Sequence, residues 1–195
     1  TITKSAVATG AELVAYSGWN DSNYLLQPYN SDMDFSGDFY VTFWAKNTDF
    51  SVAEQYIIFR SSHFSNTNPK LEVFITNSVF GMYINSGSSG SSVTVANSKW
   101  PSGVWTCITM VRSGSTGIVY VNGKSVGTGT LPTGAVGSSS SGVLQIGRRT
   151  ANSGYHYRGS LSLLRMGSGL PSPEQIKKIY EDEKVLFQEN AKATL

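Results

Sequence analysis

Between Phe39 and Met166 the chain is a succession of short aromatic and β-branched runs, each ended by glycine, serine or asparagine. An amphipathic helical stripe appears only after Ser172. No other feature constrains the fold as strongly. Short alternating runs bury one face of a strand, and closely spaced turn residues join neighbours in antiparallel order. In residues 39–45, Phe39, Val41 and Phe43 face one side and Tyr40, Thr42 and Trp44 the other. Residues 56–60 read as a further strand, and 71–76 with 79–84 as a hairpin around Asn77-Ser78. The clearest hairpin joins 104–111 to 117–121 through the turn 113–117, and Asn122-Gly123 is a type I′ signal leading into 124–128. A glycine and serine segment, 134–142, reads as a loop before strands at 143–147 and 159–166.

One helix is expected. Ser172 stands at the N-cap, Pro173 in the first turn and Gln175 three positions on, which makes a capping box. Ile176, Ile179, Tyr180 and Phe187 form one apolar stripe, and Glu174 stands four residues before Lys178. The pattern is all-β: an antiparallel sandwich over 1–171, then a helix and tail over 172–195 that pack on it or lead to a further domain.

Composition narrows the function classes. The 195 residues suit one domain, and a charged fraction of 14% against ~25% in an average domain excludes a coiled coil or a charged tail. Aromatics at 12% exclude a disordered chain. No apolar run approaches the ~18 residues of a membrane span. The start at Thr1 rather than Met points to a fragment or a processed product. The single Cys107 allows no internal disulfide and no thiolate-only zinc site. Acidic residues stop at Glu72 and resume at Glu174, while seven cations lie between them. A catalytic carboxylate pair therefore cannot come from 73–173, and that stretch would give one face a mildly cationic character.

The candidate chemistry is sparse. Asp32 and Asp34 have alternate spacing but sit among loop residues, which suits a turn better than an acid and nucleophile. With Asp38 they are the candidates for a calcium ion, although they do not follow the twelve-residue calcium-loop pattern. His63 and His156 are the only histidines, and Cys107 lies in an apolar strand as a small buried hydrophobe. No glycine-rich stretch carries a phosphate-loop lysine, and neither nucleic acid nor membrane insertion is expected. Arg148, Arg149, Asn152, Tyr155 and His156 fall together in one loop. Flat rings beside arginine forks suit a glycan, and the forks suit an acidic one. Trp19, Tyr24, Tyr29 and Trp100 read as packing rather than a sugar platform.

Four pieces carry a family resemblance: 36–45, ending in Phe43-Trp44-Ala45; 103–112, around Trp105; 118–124, with Tyr120-Val121-Asn122-Gly123; and the ending, with Leu144-Gln145-Ile146-Gly147, Tyr157-Arg158-Gly159 and the run 170–176. In this order they resemble laminin-G-like, concanavalin A-like lectin domains. The resemblance implies a jelly-roll sandwich. Where the family has an aspartate in the Tyr120–Gly123 turn this chain has Asn122, and Ser162 and Leu163 stand where an acidic pair often follows. No cofactor is expected, calcium being the one alternative.

The segment from Pro173 to Leu195 resembles segments that follow such domains in tailed-bacteriophage virion proteins. It implies a non-catalytic module of a tail or head fibre at the extracellular particle surface. Its partners would be host cell-surface polysaccharide and other virion proteins, and the same resemblance implies a homo-oligomer, commonly a trimer. Two alternatives stand beside it: a purely structural decoration or assembly domain, and a carbohydrate-binding accessory domain of a secreted bacterial enzyme.

Overall fold

The computed structural model describes residues 1–61, 69–136, 142–149 and 154–192. Its strands follow as β1 (Thr3–Ala6), β2 (Val14–Ser17), β3 (Leu25–Gln27), β4 (Phe39–Asn47), β5 (Glu54–Ser61), β6 (Lys70–Thr76), β7 (Val79–Asn85), β8 (Gly90–Ala96), β9 (Thr106–Ser113), β10 (Thr116–Val121), β11 (Lys124–Thr130), β12 (Val143–Ile146) and β13 (Gly159–Ser168). A seven-stranded sheet runs β1-β2-β13-β4-β9-β10-β11, and a six-stranded sheet runs β3-β12-β5-β6-β7-β8. Every strand pairing is antiparallel. The all-β sandwich with a late helix is therefore the observed fold.

The core follows from strand alternation. Phe39, Val41 and Phe43 of β4 meet Leu71, Val73 and Ile75 of β6 and Phe80, Met82 and Ile84 of β7 in one buried cluster. In β5 the register slips between Tyr56 and Ile58, so both Ile57 and Ile58 enter this core. The extra residue shifts the outward positions from Tyr56 to Phe59.

Turn chemistry is as expected at Asn122-Gly123. Both residues have positive φ, 49° and 75°, which a type I′ turn requires. The Asn122 side-chain oxygen also accepts the Cys107 amide at 3.0 Å. The β9–β10 turn is tighter than the five residues expected, since Ser113 pairs directly with Thr116. Strands β1 to β3 carry no sequence signal, because β1 and β3 are exposed along their whole length.

The helix α1 (Pro173–Glu183) begins with the expected capping box. Ser172 Oγ accepts the Gln175 amide at 3.2 Å, and Gln175 Oε1 accepts the Ser172 amide at 2.7 Å. Ile176 is buried against Val111 and Tyr120. Tyr180 of α1 and Phe187 beyond its end stack on Trp44 at 5.8 and 4.2 Å between ring centres. Trp44 Nε1 donates to Glu183 at 2.7 Å, and Glu183 also holds Arg165 at 2.6 Å. Lys178 pairs with Asp182 at 2.8 Å rather than with Glu174. Glu174 instead accepts Ser172 Oγ at 2.8 Å beside the unpaired amides of the first turn. The tail ends against the N-terminal segment, where Asn190 donates to the Thr9 carbonyl at 2.8 Å and Glu12 to that of Ala191 at 3.0 Å. These contacts cover part of the outer face of the seven-stranded sheet.

Candidate functional site

The outer face of the six-stranded sheet carries charges and rings. Alternation turns Lys70, Glu72 and Phe74 away from the core residues Leu71, Val73 and Ile75 of the same strand. The register then builds a row across four strands: Gln145 opposite Phe59, Phe59 opposite Glu72, and Glu72 opposite Tyr83. Tyr56 lies opposite Phe74 one step along. Cross-strand neighbours of this kind stand close enough for their side chains to interact.

Arg149 crosses the row. Its guanidinium lies over Tyr56 and Phe59 at 4.9 and 5.7 Å and donates to the Tyr56 hydroxyl at 2.6 Å. It stands 3.7 Å from Glu72 and 3.9 Å from Glu54. Lys70 reaches the same Glu72 oxygen at 3.7 Å and lies over Tyr83 at 5.3 Å. Tyr155 leans on Tyr56 with ring centres 6.0 Å apart, and its carbonyl accepts the Arg149 amide at 3.1 Å. Lys70, Glu72, Phe59 and Gln145 are buried, whereas Phe74, Tyr83, Tyr155 and Glu54 are half-buried. Burial pushes the Glu72 carboxyl above the usual carboxylate range although Arg149 and Lys70 pull it down. Burial likewise lowers the Lys70 ammonium, and with Glu72 it raises the Tyr56 hydroxyl.

The loop singled out in the sequence divides here. Arg149 and Tyr155 join the outer face. Arg148 turns toward the end of the sandwich, where it donates to the Asp21 carbonyl and lies over Tyr24 at 4.8 Å. His156 bridges back to Arg148, and its Nδ1 stands 3.7 Å from Asp21. Burial and the Arg158 charge lower the His156 pKa, with Asp21 opposing them. His156 also lines a polar cleft of about 410 Å³ with Thr48, Asp49, Arg158 and Ser160. Asn152 lies outside the described residues, as does His63.

The other aromatics are packing. Trp19 and Trp100 are buried in the core. Trp19 Nε1 donates to the Gly159 carbonyl at 3.1 Å, and a Cβ at Gly147 would fall 2.0 Å from its ring. Tyr29 donates to Asp34 at 2.8 Å.

The aspartates are engaged separately. Asp34 holds Arg60 at 2.5 Å, Asp38 accepts the Gly114 amide at 2.7 Å, and Asp32 sits exposed in a short 3₁₀ turn. Among the described residues no three His, Cys, Asp or Glu side chains converge as metal ligands. Calcium therefore finds no fitted set of carboxylates at Asp32, Asp34 and Asp38. The expected cationic face also thins out, because Arg112, Arg148, Arg149 and Arg165 are each held by partners inside the fold.

Sequence reasoning did not bring Tyr56, Lys70, Glu72, Tyr83 and Gln145 into one site. The available signal was the charged and aromatic outward set of 70–76, which an ordinary solvated strand face does not need.

Residues 20–177 match the family described as the concanavalin A-like lectin/glucanases superfamily. No curated protein sequence matches the chain. Among solved structures it is similar to the botulinum neurotoxin serotype D ligand binding domain in complex with N-acetylneuraminic acid, with TM-score 0.69, 14% identity, and 94% of this chain and 46% of that one covered. Domain 4 of AbnA, an extracellular arabinanase of Geobacillus stearothermophilus, in complex with arabinotriose, gives TM-score 0.63 and 16% identity over 92% of this chain and 81% of that one. The CBM40 of a Ruminococcus gnavus IT-sialidase, bound to α2,3-sialyllactose, gives 0.61 and 12% over 81% and 96%. The chain spans less than half the length of the neurotoxin binding domains it resembles.

Proposed function

The chain belongs to the concanavalin A-like lectin/glucanase superfamily, and from that premise we propose that it is a non-catalytic glycan-binding module. The observation that carries this reading is the outer face of the six-stranded sheet. Phe74, Tyr83 and Tyr155 present half-buried rings there beside Arg149, Glu72 and Glu54. Flat rings interleaved with a few planar polar groups suit the apolar faces and hydroxyls of a sugar. Structural neighbours in complex with N-acetylneuraminic acid, arabinotriose and sialyllactose support the same reading. A non-catalytic role is supported by how the carboxylates are used. Asp34 is spent on Arg60 and Tyr29, and Glu54 and Glu72 share Arg149 as ion-pair partners.

The setting we propose is a phage tail or head fibre that meets host-surface polysaccharide, as a homo-oligomer with other virion proteins. Its support is the resemblance of the segment after Pro173.

A glycan microarray followed by calorimetry tests the binding reading. Saturable binding is expected, with Phe74→Ala and Tyr155→Ala each losing at least about tenfold in affinity, or about 1.4 kcal/mol. Both side chains are half-buried, so Tm should hold within a few degrees. Absence of binding to every glycan would overturn the reading and leave the structural virion role. Release of soluble sugar from a bound glycan would overturn its non-catalytic part.

A further inference from the structure

We propose that the junction of α1 with the outer face of the seven-stranded sheet docks an acidic peptide segment of a partner protein, one that carries an aliphatic or aromatic anchor. This surface stands apart from the glycan-binding face and belongs to the other sheet. Two clefts of about 380 and 410 Å³ open there, and both are lined by Asn122 and Tyr180, so they meet as one groove. Lys46 and Lys184 line the first, and Lys124 and Lys177 line the second with Glu181. The β10–β11 turn brings Lys124 and Lys177 together. It lies so close to α1 that a Cβ at Gly123 would stand 3.0 Å from Lys177 Cα. Glu181 is held by Lys184, which also lies over the Tyr180 ring at 5.6 Å. The other carboxylates of α1 are engaged: Glu174 by Ser172 Oγ, Asp182 by Lys178 and Glu183 by Arg165. Among the described residues no carboxylate stands within ion-pair range of Lys46, Lys124 or Lys177. The groove therefore keeps an excess of three positive charges, and cations gathered in a cleft draw an anionic partner to it.

Apolar surface beside the charge selects the kind of anion. Val104 lines the first cleft and is 52% exposed. Trp105 and Phe187 line it as half-buried rings, packed on one another at 5.0 Å between ring centres. An indole beside an exposed aliphatic side chain is what the anchoring centre of a protein interface is made of. A sulfated or phosphorylated polymer would use the lysines but offer nothing to Val104. Such groups are matched best by arginine forks, and no arginine lines either cleft. Ammonium heads on flexible stems can instead follow carboxylates spaced along a peptide, while its anchor covers Val104 and Trp105.

The test follows tryptophan emission and the anisotropy of a labelled peptide rich in glutamate and leucine. It is set against the same peptide with lysine at each acidic position, polyglutamate, heparin and single-stranded DNA. The acidic peptide is expected to bind and its lysine counterpart not to. Affinity should fall at least about fivefold between about 0.05 M and about 0.5 M salt, because exposed charges are screened. Lys124→Gln combined with Lys177→Gln should weaken binding at least about fivefold. Val104→Ser should weaken it at least about threefold, since a part-exposed valine is covered on docking. Tm should hold in these variants, because all three side chains are exposed. Phe74→Ala, on the other sheet, should leave peptide affinity unchanged. Polyglutamate, heparin or DNA binding as tightly as the peptide, with no effect of Val104→Ser, would overturn the peptide assignment in favour of a general polyanion surface. Peptide binding that survives the paired lysine substitutions would overturn it by placing the segment elsewhere. No peptide binding at low salt would overturn it outright. Each of these results leaves the glycan reading standing.

Discussion

Arg112 holds several separate stretches of backbone together. It is 1% exposed, and its guanidinium donates to the carbonyls of Pro132 at 3.2 Å, Gly134 at 2.8 Å and Gly37. It also lies over Phe39 at 4.9 Å, so one side chain ties the loop before β4 to the segment after β11. Arg112→Ala should cost about 3 kcal/mol or more by urea denaturation, because charged donors are lost and several carbonyls are stranded. Arg112→Lys should recover less than half of that, since one ammonium cannot span the fork. A loss below about 1 kcal/mol in the alanine variant would show that those carbonyls find other donors. His156 gives a pH dependence. Its folded pKa is lowered, by burial first and Arg158 next, so the unfolded chain binds the proton more readily. The stability it contributes is present above the ordinary value of about 6.5 and is lost as pH falls through the folded value. Tm should fall between about pH 7.5 and about pH 5.5, and His156→Gln should flatten that slope. Parallel slopes would show that another group carries the dependence.

At the scale of elements, α1 and the turn after it are the most testable. The capping box satisfies two amides of the first turn. Ser172→Ala should therefore cost about 1 kcal/mol in thermal unfolding. The larger contact is Phe187, stacked at 4.2 Å on Trp44 and packed at 5.0 Å on Trp105. Phe187→Ala should cost about 2 kcal/mol, less than a fully buried phenylalanine, and should shift tryptophan emission to the red as both indoles gain solvent. An unchanged spectrum would mean that the tail does not shield them in solution. The bulge in β5 matters for the opposite face. By sending Ile57 and Ile58 both into the core it turns Phe59 outward beside Glu72. An unbroken strand would have buried that ring and brought Arg60 outward in its place.

Over the whole molecule the outer faces of the two sheets differ in what they carry. The seven-stranded sheet receives the helix and the C-terminal tail on its outer face, close to the N-terminal segment. The six-stranded sheet keeps its rings and charges on a face of its own. Because the aspartates near Asp34 are engaged with Arg60, Tyr29 and the Gly114 amide, chelation should leave glycan affinity within about twofold. Titration with and without a chelator checks this, and loss of binding on chelation would return calcium to the account.

By itself the sequence determined the sandwich, the Asn122-Gly123 turn and the capped helix. Each depends on local rules: alternation, positive φ and the pairing of first-turn amides with Ser172 and Gln175. It also put Arg149 and Tyr155 in one loop, and both meet Tyr56 on the outer face of the six-stranded sheet. The tertiary structure alone decided that Arg148 and His156 turn toward Asp21 while Arg149 reaches Glu72, because successive backbone positions point apart. It alone brought Gln145, Phe59, Glu72 and Tyr83 into one row. That row joins four strands spread over nearly ninety residues of chain. Its order is set by hydrogen-bond register and by one bulge, and neither leaves a mark on local composition.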